Sequence, residues 1–192
     1  MVHEYNTDEH PEALDTDGRR YDRGAHGPVW LRWPHLEPLV TEFQPDVIVC
    51  NAGGLSFRPE VAARVRRDIR LLGIALSDPE VYEPATRHVA PNFDLFLTND
   101  PGSLPGYREA GVNASRLPVG VLGDFFKPAA VRPELICDVL FMGEAYACRI
   151  EPVRALIEHF DVHVYGEAWE EHGITSRGAI YGDDSLAALN SA

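Results

Sequence analysis

The sequence predicts an α/β chain made of two parallel-sheet units, both incomplete. Three observations carry that expectation. Short β-branched runs alternate with segments of helical period, and the turns between them are brief. The runs are apolar throughout rather than alternating, as in strands buried on both faces of a parallel sheet. A stretch around residue 125, broken by Gly and Pro, interrupts the alternation and divides it in two.

The elements follow in order. Residues 1–28 are polar and carry the turn signals Thr16-Asp17-Gly18, Arg23-Gly24 and His26-Gly27-Pro28, which predict a loop or a poorly ordered arm. Pro34 to Phe43 suits a short helix with Leu36, Leu39, Val40 and Phe43 on one face, closed by Gln44-Pro45. Asp46-Val47-Ile48-Val49-Cys50 is a buried strand, and Asn51-Ala52-Gly53-Gly54 its turn. Pro59 opens a helix on which Val61, Val65, Ile69 and Leu72 recur at helical spacing. Gly73 stops that helix, and Ile74 to Ser77 is the next strand. Phe93 to Thr98 is a strand, Pro105 to Ala110 a short helix, and Arg116 to Val119 a brief strand. These segments give a first unit over residues 29–122 and a linker over 123–133.

The second unit covers residues 134–192. Ile136 to Gly143 is a buried strand, Pro152 opens a helix with Val153, Leu156, Ile157 and Phe160 in one stripe, and Asp161 to Gly166 is the following strand. Ala179-Ile180-Tyr181 reads as a short strand. Ser185 or Asp184 caps a last helix, Leu186 to Ala192. The first unit lacks an opening strand and the second has about three, too few to cover a sheet. Both therefore read as pieces of larger units.

Composition narrows the function. The chain has 192 residues and a net charge of −13, from 17 basic and 30 acidic residues. Such a surface repels phosphate backbones and anionic lipid, which argues against nucleic-acid and membrane partners. No apolar run approaches the about 18 residues of a membrane span, and Met1-Val2-His3-Glu4 lacks the basic and apolar regions of a secretory leader. The expected location is the cytoplasm. Three cysteines, Cys50, Cys137 and Cys148, stand far apart without a C-x-x-C, so neither a disulfide framework nor a zinc knuckle is expected. Asp15-Thr16-Asp17-Gly18 resembles the start of a calcium loop but has no Glu at the twelfth position. The eight histidines scatter, and no G-x-S-x-G elbow is present. No metal and no cofactor are expected.

Ligands of open parallel sheets bind beyond the carboxyl ends of the strands, which nominates four loops. Asn51, Gly53 and Gly54 either approach a ligand closely with backbone N–H groups or form a bare tight turn. Asp78, after a strand, either accepts a proton or a sugar hydroxyl, or caps the turn before Pro79. Asn99 and Asp100 carry the same two readings. In the fourth loop Gly143 ends a strand and Arg149 precedes the helix at Pro152. A strand-end glycine, a helix N-terminus and a guanidinium make a diphosphate site, unless Arg149 is simply a surface residue. Tyr165, Gly166 and Trp169 end the neighbouring strand, where the aromatics stack on a base or sugar or else cover the sheet edge.

Read together, the segments resemble the CgeB-type, spore-maturation glycosyltransferase-like family, a group with the GT-B fold. The resemblance runs from about Pro45 to Ala192. It rests on Pro45-Asp46-Val47-Ile48-Val49, Ser77-Asp78-Pro79, Phe93 to Asp100, Leu117-Pro118-Val119, Gly123-Asp124-Phe125-Phe126-Lys127-Pro128, Asp138 to Gly143, Val162 to Trp169 and Asn190-Ser191-Ala192. It implies two Rossmann-like domains, an acceptor-side one and a donor-side one, joined by a crossover at Gly123 to Pro128. It implies transfer of a sugar from a nucleotide-diphosphate sugar to an acceptor hydroxyl, with Gly143, Arg149, Tyr165, Gly166 and Trp169 on the donor side. Asn51, Gly53, Gly54, Asn99 and Asp100 would line the acceptor side, with Asp78 as candidate base. The family's opening strand–loop–helix and its acidic donor-gripping region have no counterpart in the chain. The rival readings are a non-catalytic nucleotide- or sugar-binding module and a partner-binding domain that uses its acidic face.

Overall fold

The β-branched run after Pro45 forms the first strand of a four-stranded parallel sheet in a computed structural model that describes residues 4, 5, 7, 9–15, 27–51 and 55–192. The chain divides into two compact units, Met1–Val119 and Gly120–Ala192, parted just ahead of the expected linker.

Unit 1 carries two sheets. In the smaller one, β1 (Leu14–Asp15) pairs antiparallel with β2 (Val29–Leu31), which pairs parallel with β4 (Leu55–Phe57). A 3-10 turn, Pro11–Ala13, leads into β1, and Ala13 is fully buried. The expectation of a loop or arm over residues 1–28 is thus corrected for this stretch. The Arg32 N–H donates to the Ala13 carbonyl at 2.8 Å, which ties the segment to the body of the unit.

The larger sheet has the order β3 (Val47–Asn51), β5 (Arg70–Ala75), β6 (Leu95–Thr98), β7 (Ala114–Arg116), all parallel. Between the strands run α1 (Trp33–Phe43, before β3), α2 (Pro59–Val65), a single π-helical turn Tyr82–Thr86 followed by α3 (Arg87–Val89), and α4 (Leu104–Glu109). Their buried residues, Leu36, Ala62, Val65, Val89 and Tyr107, join Cys50, Leu71, Ala75, Phe96 and Ala114 of the strands in one core. Burial pushes the Cys50 thiol up to about 12, so it behaves as a small apolar side chain.

One expected element is redrawn. The helix from Pro59 stops at Val65, and Leu72 and Gly73 belong to β5. The four apolar positions matched a helical period, yet Leu71, Gly73 and Ala75 alternate into the core and Gly73 is no helix stop. A Cβ on Gly73 would lie 2.5 Å from the Phe96 ring and 2.9 Å from Phe93. Glycine is present because two aromatic rings, 5.6 Å apart, cross the strand there.

Unit 2 is a parallel pair, β8 (Val139–Met142) and β9 (Val162–Tyr165), joined by α5 (Ala147–Ile157) and followed by α6 (Gly182–Leu189). Val153, Val164, Trp169 and Ile174 form its core. Pro152 lies inside α5 rather than at its start. Ala179-Ile180-Tyr181 is not a strand. The pairing falls earlier, where the Arg177 N–H donates to Val164 and the Gly166 N–H to Gly178. Arg177 also donates to Nε2 of the buried His163 at 2.6 Å. Among the described residues no helix is long and apolar enough to cross a membrane.

Two outcomes follow from unit 1. Gly73→Ala is expected to lower stability by about 1–3 kcal/mol through overpacking against Phe93 and Phe96, read from the urea midpoint. Asp94 gives the second. Burial opposes its ionisation, but the Leu71 N–H, the Arg66 hydrogen bond and the charges of Arg66 and Arg70 outweigh it and hold the carboxyl below its usual range. A depressed folded-state value stabilises above the unfolded value, near 3.9, and that stability is lost as pH falls through the folded value. Acid titration of unfolding should therefore show a shallower fall below about pH 4 in Asp94→Asn than in the parent.

Candidate functional site

The carboxyl ends of the unit 1 strands gather Asn51, Asp78, Thr98, Asn99 and Asp100 in sequence terms, but the structure gives them different surroundings. Asp78 is only 4% exposed. Its Oδ1 accepts from the Thr86 hydroxyl at 2.8 Å, and its Oδ2 accepts from Thr98 at 2.8 Å and from Tyr107 at 2.7 Å. Tyr107 and Thr86 also approach each other to 2.6 Å. Three elements thus converge on one carboxyl group: the π-helical turn supplies Thr86, β6 supplies Thr98, and α4 supplies Tyr107. Burial pushes the Tyr107 phenol up; the Thr86 hydrogen bond opposes this and Asp78 adds to it. The phenol therefore remains a donor. Tyr82 packs edge-on against Tyr107, and Gly106 makes room for it, since a Cβ there would lie 1.9 Å from the Tyr82 hydroxyl oxygen.

Asp100 caps the turn into α4. Its Oδ2 accepts from the Ser103 hydroxyl at 2.7 Å and the Ser103 N–H at 2.8 Å, and its own N–H donates to Thr98 Oγ1. The Ser103 hydrogen bond lowers its carboxyl below the usual range, with burial opposing and the Gly102 and Ser103 N–H groups assisting. Asn99 donates its N–H to the Ala75 carbonyl, while its Oδ1 is buried without a partner. Asn51, the last residue of β3, is exposed. Gly53 and Gly54 lie outside the described residues. Of the expected acceptor-side group, the structure links Asp78 and Asp100 through the Thr98 hydroxyl. Thr86, Thr98 and Tyr107 carried no motif; eight, 20 and 29 residues separate them from Asp78.

Unit 2 brings most of its expected residues together. Gly143 and Gly166 both adopt positive φ, +151° and +136°. A Cβ on Gly166 would lie 2.0 Å from the Gly143 carbonyl oxygen, so only glycine lets the two strand-end loops touch. The Gly143 N–H donates to the Tyr165 carbonyl at 2.9 Å, and the Ala145 N–H to Glu167 at 3.1 Å. Trp169 is fully buried, stands edge-on to Phe141, and donates its indole N–H to the Gly143 carbonyl at 2.8 Å. It shapes the loop from beneath and presents no open ring; Tyr165 is likewise only 6% exposed.

α5 starts at Ala147, five residues before Pro152, so Arg149 sits in its first turn rather than ahead of it. Extended Tyr146 precedes the helix and makes no side-chain cap. The Arg149 guanidinium stacks 4.5 Å from the centre of the Tyr146 ring and donates Nη1 to the Glu144 carbonyl at 3.1 Å. A Cβ on Gly143 would lie 2.9 Å from that same Nη1, so the guanidinium rests directly over the strand-end glycine. A positive group, a helix N-terminus and a bare backbone therefore share one small surface, which can attract an anion. Among the described residues no group of three His, Cys, Asp or Glu side chains can hold a metal.

Comparison with models of known protein families finds no match. A search of curated proteins finds no matching relative.

The Asp78 cluster generates a test. Asp78→Ala leaves three buried hydroxyls without their acceptor and is expected to cost about 3 kcal/mol or more, read by urea unfolding. Asp78→Asn keeps the shape and one acceptor oxygen, and should cost clearly less. Equal, small losses for both would show that the hydroxyls find other partners.

Proposed function

We propose that the loop from Gly143 to Arg149 seats the diphosphate of a nucleotide sugar, and that the chain is glycosyltransferase-like. The reaction would move the sugar from the nucleotide diphosphate to an acceptor hydroxyl. One observation supports this reading above the rest: Arg149 lies in the first turn of α5 with its guanidinium over Gly143. In such a transfer negative charge develops on the leaving diphosphate. A fixed helix N-terminus and a guanidinium stabilise that charge at the place where it appears. The back-to-back glycines keep side chains away from the strand ends, so a phosphate beside the guanidinium would meet bare backbone there. The alternating strands and parallel sheets accord with the GT-B resemblance, in which the two units would be the acceptor and donor domains of a cytoplasmic enzyme.

A specific observation favours a second reading, a non-catalytic nucleotide- or sugar-binding module. Asp78, the candidate base, is buried and already accepts from three hydroxyls. In that state its role is to hold β5, β6 and α4 in place rather than to receive an acceptor proton.

Calorimetry with UDP-, GDP- and dTDP-sugars, followed by an assay for release of the nucleoside diphosphate, separates the readings. Binding with turnover supports transfer, and binding alone supports the module. Arg149→Ala should weaken the diphosphate-bearing ligand about tenfold or more, as expected for loss of a charge-assisted contact of about 1.5–3 kcal/mol. Unchanged affinity would remove the site from the loop.

A further inference from the structure

His163 stands in β9, only 5% exposed, and belongs neither to the apolar core of unit 2 nor to the loop at Gly143. Successive strand residues face opposite ways, so with Val164 in the core the imidazole lies on the other face, beside Leu140 of β8. Arginine has donors and no acceptor, so the 2.6 Å contact from Arg177 makes Nε2 an acceptor. The ring is therefore neutral with its proton on Nδ1, and that N–H is buried with no hydrogen-bond partner among the described residues. A second group stands near the same nitrogen: Asp161 Oδ1 lies 3.8 Å from Nε2.

Among the described residues, Arg177 and Asp161 are the charged groups that reach the ring from any element. β8 contributes only Val, Leu, Phe and Met. Ahead of β8, Asp138 turns its carboxylate to the Asp161 N–H at 2.9 Å, and Tyr165 follows His163 on the same face of β9. The two protonation states of the imidazole make opposite demands on this pair. Neutral Nε2 accepts, and Arg177 can only donate. Protonated Nε2 donates and carries charge, so Asp161 attracts it and Arg177 repels it.

We propose that His163 is a pH-operated catch. Neutral, it holds the segment 176–178 against β9 through Arg177; protonated, it turns to Asp161 and releases that segment. What the catch holds is visible in the backbone. The Arg177 N–H donates to the Val164 carbonyl at 2.8 Å, and the Gly166 N–H donates to the Gly178 carbonyl at 3.0 Å. The Ser176 hydroxyl donates to the Gly166 carbonyl at 2.7 Å and accepts from the Gly178 N–H at 3.0 Å. These bonds lay the segment along the end of β9 and pin Gly166, the glycine that abuts Gly143. Upstream the segment is anchored by buried Ile174, whose N–H donates to the Trp169 carbonyl. Downstream, Ala179 and Tyr181 are exposed. Release therefore begins at Arg177 and Gly178 and reaches Gly166 while the core stays closed. The catch is independent of what the loop at Gly143 binds.

The sign follows from linkage. The closed segment requires the neutral ring, so closure is complete at higher pH and is lost as pH falls. A solvated histidine changes charge near about pH 6.5, so opening should be about tenfold more populated at about pH 5.5 than at about pH 7.5. The test follows the full chain by NMR over that range. Long-range 1H–15N spectra should show the His163 ring as the Nδ1–H tautomer at the upper end and protonated at the lower. Hydrogen-exchange protection of the Arg177 and Gly166 amides should fall about tenfold or more, while that of Leu156 and Ile157 in α5 holds. His163→Gln keeps an acceptor for Arg177 but does not titrate, and should abolish the fall. Asp161→Asn, at an exposed side chain, should move the fall to lower pH. A ring that stays neutral down to about pH 5.5 would overturn the catch. So would loss of protection at Leu156 and Ile157 in step with Arg177, the same fall in His163→Gln, or an unmoved fall in Asp161→Asn.

Discussion

A parallel strand can meet its neighbour only if the chain is carried back over the sheet between them, and that constraint organises unit 1. Each return over β3, β5, β6 and β7 lays its helix or turn on one face. The core lies there, built from Leu71, Ala75 and Phe96 beneath Val65, Val89 and Tyr107. The same returns bring Thr86, Thr98 and Tyr107 to Asp78, since two of these residues sit on returning segments and one on the next strand. A buried carboxyl without a cation beside it would be costly, and the three hydroxyls are what make it tolerable. The polar cluster and the apolar core are therefore two consequences of one winding.

The sequence made the winding legible where single segments are self-sufficient. Val47-Ile48-Val49, Leu95-Phe96-Leu97 and Val162 to Tyr165 are strands because their side chains favour a pleated surface whatever follows, although Val47 and Val49 stay about half exposed rather than buried on both faces. It was misleading where two periods coincide. Val61, Val65, Ile69 and Leu72 fit one helical stripe, but the stripe ends at Val65 and Leu72 points away from the core in β5. Only the aromatic rings over Gly73, contributed by residues 93 and 96, settle that glycine as an interior strand position. The three-residue strands β2 and β4 were invisible for another reason. Val29-Trp30-Leu31 and Leu55-Ser56-Phe57 are too short to display a period and are stabilised by each other.

The same division applies to the candidate sites. That loops after strands would matter follows from α/β architecture, and Gly143, Arg149 and Gly166 do meet there. What each residue does was hidden, because it depends on partners distant in the chain. Asp78 read equally as a base or a turn cap, and neither reading contains Tyr107, 29 residues on. Trp169 read equally as a stacking ring or as cover for the sheet edge, and neither reading contains its indole N–H reaching back 26 residues to the Gly143 carbonyl. Pro152 suggested a helix start, whereas α5 absorbs it in its interior and begins far enough upstream to include Arg149.

That last shift matters physically. Had α5 begun at Pro152, Arg149 would sit on a loop, and ordering its long side chain around an anion would cost up to about 2 kcal/mol of rotamer entropy. In the first turn it is already held, stacked on Tyr146 and bonded to the Glu144 carbonyl. Part of the ordering cost is met before any ligand arrives, which is the advantage of preorganisation. The restraint also limits what the residue can accept. One of the five guanidinium N–H donors goes to the Glu144 carbonyl, and an anionic oxygen that meets another forms a charge-assisted bond, stronger than one to a neutral acceptor. A neutral sugar hydroxyl makes only an ordinary hydrogen bond with the guanidinium, whereas a phosphate gains the charge-assisted bond together with the field of the helix end. Charge rather than shape is therefore what this arginine, held beside Gly143, is suited to select.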